Sequence, residues 1–498
     1  MSDRIKVRVR MYRQGLGDCF LLRFTAGTNT THMLIDCGLL QQTPDEKKKI
    51  KSVVEDVFTE TGGDHDTNAK GTLDVLLVTH EHWDHVSGFK YAKDIFDDID
   101  VKQVWLAWTE NPKDSFTKTL KKERGLALNV IKSAADAFSK NGALDEGERL
   151  ALEGEGRGIA GILSFLNLQE QGPMQFSRGT DEAMDYASAK GPREYCKPGG
   201  KPLKIPTLPG VRFYVLGPPR NKKLLMMMDP AGGLAETYDL FSGLNADSAF
   251  LLAAQMHDTA LSLFPVSEAR RLSVRYPFRE GERLPADGGA ARGAYASTYF
   301  AEDKAWRRID YDWLSAASDL ALQLDGAVNN TSLALAIELV DSGRVLLFPG
   351  DAQVGNWLSW HKCTWTIEDE DGSPREVKAK DLLERTVLYK VGHHGSHNAT
   401  LQEKGLEMMT SRDLVAMLPV DEVQAHQPKG RDKDGWEMPS EALYRRLMEK
   451  TRGRVLRLDK GWPKKTETQR PADLSQQEWK DFKNATTVDR WYIDFELS

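Results

Sequence analysis

The sequence predicts an α/β fold, built as one composite domain in which strand-rich segments are interrupted by two helical blocks. Three observations carry that expectation. Apolar runs with strand character open the chain and return in its second half. Between them lie stretches whose apolar residues fall at helical spacing. No internal repeat or low-complexity linker separates the 498 residues into independent modules.

The elements follow in order. "IKVRVRMYR" alternates, "CFLLRF" comes after a Gly-Leu-Gly-Asp turn read as a β-hairpin turn, and "HMLIDCG" is a third apolar run, ending in Asp36 and Gly38. "TPDEKKKIKSVVEDVFTET" has apolar residues at helical spacing, with Thr43 as the expected cap. "TLDVLLVTH" is a continuous apolar run, expected as a buried strand, and "VKQVWLAWT" is the next. A helical insertion is expected over 111–201 and a second, loop-rich one over 220–325, with the strand "VRFYVLGPP" between them. Strands resume with "TSLALAIEL", "GRVLLFPGD", "RTVLYKVGHHGSH", "DLVAMLPV" and "GRVLRLD", and "DRWYIDFEL" is the last. All belong to a single domain spanning 1–498.

Composition narrows the class. A chain that is 40% hydrophobic and 28% charged is ordinary for a globular protein. No apolar run approaches the ~20 residues that span a bilayer, so no membrane association is expected. Cys19, Cys37, Cys196 and Cys363 stand far apart with no framework spacing, and "MSDRIKVRVRMYRQG" lacks an apolar signal core. A reducing, cytoplasmic setting is expected. The net charge of −7 argues against a generally basic nucleic-acid binder but leaves a local basic groove open.

The chemistry concentrates in "THEHWDH". His80 and His82 stand two apart directly after a buried strand, so their imidazoles can converge as the chain turns. Asp84 and His85 follow on the next turn. A lone histidine is more often a packed or solvated residue, but this density of imidazole and carboxylate suits zinc, and also manganese or iron.

Carrying this HxHxDH pattern, the sequence resembles the metallo-β-lactamase superfamily of hydrolases. "LIDCG" resembles the segment whose aspartate, here Asp36, supports the ligands. "GRVLLFPGDA" resembles the strand whose aspartate, here Asp351, bridges two metals, and "LYKVGHHGSH" resembles the motif that supplies the last histidine. Because the ligating histidine of that motif precedes a glycine, His394 is the expected ligand, leaving His393 for substrate or the outer shell and His397 peripheral. "RQGLGDCFLL", "YVLGPP", "NNTSLAL", "YKVGHHGS" and "MPSEALYRRL…GRVLRLDKG" together resemble the soluble hydrolase domain of ComEC-type DNA-uptake proteins. The resemblance covers most of the strand-bearing chain and neither insertion.

It implies an αββα sandwich with metals at one edge between two sheets, and hydrolysis of phosphodiesters such as DNA by a metal-activated water. The implied ligands are His80, His82, Asp84, His85, Asp351 and His394, holding one or two zinc or manganese ions per chain. Asp84 would orient the water and His393 would serve the leaving oxygen, with Lys390, Ser396 and Asn330 as substrate contacts. One departure stands out: the family pattern has a further histidine before the bridging aspartate. Here only His257 lies in that interval, and it reads as a packing or surface residue; the vacant position falls near Asn329 and Asn330.

Two rival readings accompany this one. The same fold could hydrolyse a small ester, lactone or cyclic nucleotide under a roof made by the insertions. Alternatively a weakened site could serve structure or bind a protein partner through those insertions. The basic segment Tyr444–Lys465 could follow a phosphate backbone, although its plain reading is a solvated helix and strand.

Overall fold

The alternation seen in the sequence sorts side chains between faces of two sheets. The computed structural model describes residues 4–41, 43–125, 128, 168–170, 176–228, 322–368, 372–427, 435–461, 471 and 473–498. The chain divides into one compact unit of Met1–Leu120, Leu163–Gly243 and Asp325–Ser498 and another of Lys121–Ile162 and Leu244–Leu324. Both sheets lie in the first unit; the second falls almost wholly outside the described residues.

The sheet strands begin with β1 (Lys6–Tyr12), β2 (Cys19–Ala26), β3 (Asn29–Cys37), β4 (Val75–Val78), β5 (Val104–Ala107) and β6 (Arg193–Cys196). They continue with β7 (Val211–Gly217), β8 (Ala334–Leu339), β9 (Arg344–Phe348), β10 (Thr386–Lys390), β11 (Val415–Leu418) and β12 (Val455–Arg457), and end with β13 (Thr486–Val488) and β14 (Tyr492–Leu497). An eight-stranded sheet runs β6-β5-β4-β3-β2-β1-β14-β13, and a six-stranded sheet runs β7-β8-β9-β10-β11-β12.

Alternate residues of each strand meet between the sheets. Val7, Val9 and Met11 of β1, Phe20, Leu22 and Phe24 of β2, and Leu335, Ile337 and Leu339 of β8 share one core. Each large apolar side chain so buried contributes ~1.5–3 kcal/mol. The opposite residues of the large sheet, such as Leu21 and Leu34, pack on helices α1 (Glu46–Glu60), α2 (Trp83–Tyr91) and α3 (Gly179–Ala189). Those of the small sheet, such as Val345 and Leu347, pack on α4 (Val354–Trp360), α5 (Ala379–Glu384) and α6 (Glu441–Lys450). The four layers are helix, sheet, sheet, helix: the expected αββα sandwich.

Local expectations meet several differences. Thr43 does not cap α1: Asp45 precedes the helix in a left-handed conformation, and the Thr43 hydroxyl donates to Leu40 O and accepts from Gln424 Nε2. The run "TLDVLLVTH" is broken at Asp74, whose buried carboxylate accepts from His32 N and Lys102 Nζ. Within 111–201, residues 115–125 are helical as the spacing predicts, but β6 joins the large sheet through parallel pairing with β5. Most of the second expected insertion, including His257, lies outside the described residues. Among those residues no helix is long and apolar enough to cross a membrane.

What matters for chemistry is strand direction. β3, β4 and β5 are mutually parallel, as are β9, β10 and β11. Their carboxyl ends gather the loops that follow them, which is where open parallel sheets hold their sites.

Candidate metal centre

β3 ends in Asp36 and β4 leads into Thr79, and these two residues lock the sheet ends together. Asp36 Oδ1 accepts from Thr79 N at 2.8 Å, and Oδ2 accepts from Thr79 Oγ1 at 2.7 Å. Asp36 has φ 55°, a left-handed backbone that costs an L-residue of order 1–3 kcal/mol and is held by these bonds. The turn beyond it comes so close to the HxHxDH segment that a Cβ on Gly38 would sit 2.3 Å from the Asp84 carbonyl carbon. Directly after His80 and His82 the chain enters α2, with Asp84 and His85 in its first turn.

From the other sheet, the turn after β9 carries Asp351. The segment after β10 carries His393 and His394, with φ 42° and 52°. The side chains of His80, His82, Asp84, His85, Asp351 and His394 are all at most 1% exposed.

Hydrogen bonds fix which ring nitrogens point inward. His394 Nδ1 donates to the Pro419 carbonyl at 2.7 Å, so its Nε2 faces Asp84 Oδ2 at 2.9 Å. His85 Nδ1 donates to Asp36 Oδ2 at 2.8 Å, and its Nε2 lies 3.0 Å from Asp351 Oδ2. The Thr79 hydroxyl spends its hydrogen on Asp36, so at 3.0 Å it can only accept from His80 Nδ1. Ser332 Oγ stands 3.2 Å from that same nitrogen and accepts from Asp351 N at 3.0 Å. His80 therefore presents an Nε2 lone pair, and that nitrogen is 3.1 Å from His82 Nδ1. Asp84, His85, Asp351 and His394 offer ligand atoms that all lie within 4.8 Å of one another.

The electrostatics follow from this burial. Desolvation opposes charge on His85, but Asp351, Asp84, Asp36 and Asp18 together outweigh it and hold the ring well above the ordinary histidine range. His394 is likewise raised against burial by its bond to Asp84 and by Asp351. Burial holds His80 well below its usual value, with like-charge repulsion from His85 and His82 adding to it, and burial brings His82 down to about 4. Asp351 stays well below the carboxylate range because His85 and Lys390 overcome desolvation.

The donor set fits a divalent cation. Asp84 Oδ1 is buried without a hydrogen-bond partner among the described residues, a costly arrangement unless a cation meets it. Imidazole nitrogens and carboxylate oxygens converge, and His80, His85 and His394 are each anchored through the outer nitrogen, as metal-binding histidines are.

The other expected residues are less uniform. Lys390 is 1% exposed and fully engaged: its ammonium donates to Gly350 O at 2.9 Å and Asp351 Oδ1 at 3.2 Å and is ion-paired with Asp18. His393 donates its backbone N–H to Asp351 Oδ1 at 3.0 Å, and its buried Nδ1 has no hydrogen-bond partner among the described residues. Asn330 is turned to structure, its Oδ1 accepting from the backbones of Gln353 and Asn356 and its Nδ2 donating to Met227 O. The Ser396 hydroxyl donates to Asn398 Oδ1 at 2.8 Å.

Sequence reasoning missed Asp18, Thr79, Ser332 and Asp325. Asp18 lies in the "GLGD" turn, where a carboxylate between a buried strand and a glycine was the available signal. Asp325 Oδ1 lies 3.4 Å from His82 Nε2.

The described residues form an αββα sandwich with a buried His/Asp cluster that could hold a metal ion. Residues 12–153 match the family model of the Metallo-beta-lactamase superfamily, whose members are mostly metal-dependent hydrolases. No curated protein matches the chain.

Proposed function

We propose that this protein is a metal-dependent phosphodiesterase, and specifically a nuclease that cuts DNA. The observation that carries the hydrolase reading is the convergence of buried imidazole and carboxylate donors from both sheets, with Asp84 Oδ1 left open. The step to nucleic acid rests on a narrower support. The "GLGD" turn and the "YKVGHHGS" segment carry the resemblance to ComEC-type hydrolase domains, and they meet through the ion pair of Asp18 with Lys390.

His80, His82 and Asp351 would hold one ion, and Asp84, His85, His394 and Asp351 a second. Zinc or manganese bound there would activate water near neutral pH and neutralise charge on a phosphate. Asp84 Oδ2 and His394 Nε2 lie side by side in the donor set, and Asp84 Oδ1 would orient the attacking water and take its proton. His393, whose buried Nδ1 has no hydrogen-bond partner among the described residues, would donate the proton that the leaving oxygen takes up; burial brings its pKa down to about 4, which makes it a strong donor when charged. Lys390 acts by steadying Asp351 rather than by reaching substrate.

The test is cleavage of linear single- and double-stranded DNA with manganese, zinc or magnesium added, beside Asp84→Ala. Metal-dependent cutting that is lost in the variant is the expected result. Bound metal with no cutting by any ion would remove general DNA cleavage.

One observation favours hydrolysis of a small ester, lactone or cyclic nucleotide instead. The basic charges around α6 and β12 are met internally: Arg446 by Glu407, Arg457 by Glu422 and Asp459, and Lys460 by Glu422. Among the described residues of this segment, those paired charges offer little to a phosphate backbone. Activity on a chromogenic phosphodiester or a lactone without DNA cleavage would select this reading.

A further inference from the structure

His80, His85 and His394 each have their outer nitrogen anchored: by Thr79 Oγ1, by Asp36 Oδ2 and by the Pro419 carbonyl. In each case the inner nitrogen is thereby fixed as the one available to a cation. His82 belongs to the same cluster but is turned the other way. Its Nδ1 faces His80 Nε2 at 3.1 Å, so its outer nitrogen is Nε2. The group facing that nitrogen is Asp325, with Oδ1 at 3.4 Å.

Asp325 is built for such a contact. Its Oδ1 is buried and has no hydrogen-bond donor among the described residues. Its Oδ2 accepts from Asn329 Nδ2 at 3.2 Å, one helical turn on, which fixes the carboxylate plane. The side chain is 15% exposed, so water competes weakly for it. At 3.4 Å the two groups are at ion-pair distance, and a small rotation of ring or carboxylate would bring them into hydrogen-bond geometry.

We propose that Asp325 is the positioning residue of His82: it accepts the Nε2 proton and so leaves the Nδ1 lone pair beside His80 Nε2 as the second nitrogen of one metal half-site. The inference rests on the metal-centre reading above. Asn329 acts one step further out, by orienting Asp325. A carboxylate in this place raises the basicity of the imidazole and pays the orientational entropy of the ring in advance.

The experiment has two readouts besides turnover. Zinc affinity and stoichiometry are measured by chelator competition for the full chain and for Asp325→Asn, which keeps the shape and removes the charge. The side-chain nitrogen-15 spectrum of the zinc-loaded wild type is recorded with His82 assigned. The expected result is an unchanged number of ions bound ~10–100-fold more weakly in the variant, with His82 of the wild type protonated on Nε2. Equal affinity in the two proteins overturns the proposal, as does a His82 protonated on Nδ1. Loss of one ion per chain also overturns it, making Asp325 a ligand in its own right. A wild type that binds no zinc or manganese removes the metal-centre reading itself, an outcome distinct from the other three.

Discussion

Asp18 and Lys390 form an ion pair in the interior, and the same ammonium reaches Asp351 at 3.2 Å. Each of the three side chains is at most 2% exposed. One lysine thus compensates two acids that desolvation would otherwise make prohibitive, and it is held above its ordinary pKa because their attraction outweighs its own burial.

Lys390→Met should therefore act as a stability mutation, costing ~3–5 kcal/mol through two stranded carboxylates. Adding Asp18→Asn should recover part of that loss. A denaturant-unfolding cycle over the two single variants and the double variant measures the coupling. Because the folded pKa of Lys390 is raised, its contribution is complete below the unfolded value of 10.5 and disappears as pH climbs through the higher folded value. An unchanged unfolding midpoint in Lys390→Met would contradict this account.

Asp36→Asn should weaken metal binding ~10–100-fold. An amide in that position can keep the Thr79 N–H but cannot also accept from Thr79 Oγ1 and His85 Nδ1. Chelator competition gives the affinity. The lost acceptor should also cost ~1–3 kcal/mol of stability, readable in the same protein by urea unfolding.

Gly38→Ala should disturb the centre without altering a single donor. The added methyl would fall 2.3 Å from the Asp84 carbonyl carbon and 2.4 Å from His85 N, both backbone atoms of the donor segment. We expect ~1–3 kcal/mol of destabilisation and a lower metal affinity. Wild-type values of both would mean that the two turns can separate at no cost.

Away from the centre, Glu422 accepts from Lys460 Nζ at 2.5 Å and Arg457 Nη2 at 2.8 Å. The bond to Lys460 and, against some burial, that to Arg457 bring its pKa down to about 2. A folded pKa below the unfolded 4.5 means stabilisation that is present above about pH 4.5 and fades as pH falls towards 2. The side chain is 34% exposed, so solvent screening keeps the gain to about 1 kcal/mol or less. Unfolding midpoints of wild type and Glu422→Gln should differ at neutral pH and converge in acid.

The site was legible where its chemistry is local in sequence. "THEHWDH" shows its density in seven letters, and Asp36 and Asp351 stand at the ends of apolar runs, their roles supplied by the family resemblance. Asp18 was not legible, because a turn aspartate differs from a buried counter-ion only by the lysine that folding brings to it. Asn330 misled for the converse reason. Its amide closes the turn before β8, while Asp325, five residues earlier, is the residue that faces His82. The strands were read well because both faces of the sheets are covered, which leaves near-continuous apolar runs as well as alternating ones. Thr43 was misread because its hydroxyl is claimed by Gln424, a partner no local rule foresees.

That the donors come from both sheets bears on the order of folding. His80, His82, Asp84 and His85 follow β4, whereas Asp351 and His394 follow β9 and β10. Neither cluster is complete alone, and the contacts joining them span |i−j| of 266 and 310. Contacts of such high order form only after long loops have closed, which places them late in refolding. A cation that needs both clusters has no high-affinity home in a half-assembled chain. Its capture would therefore mark the docking of the two sheets and could serve as a clock for that event in a stopped-flow trace.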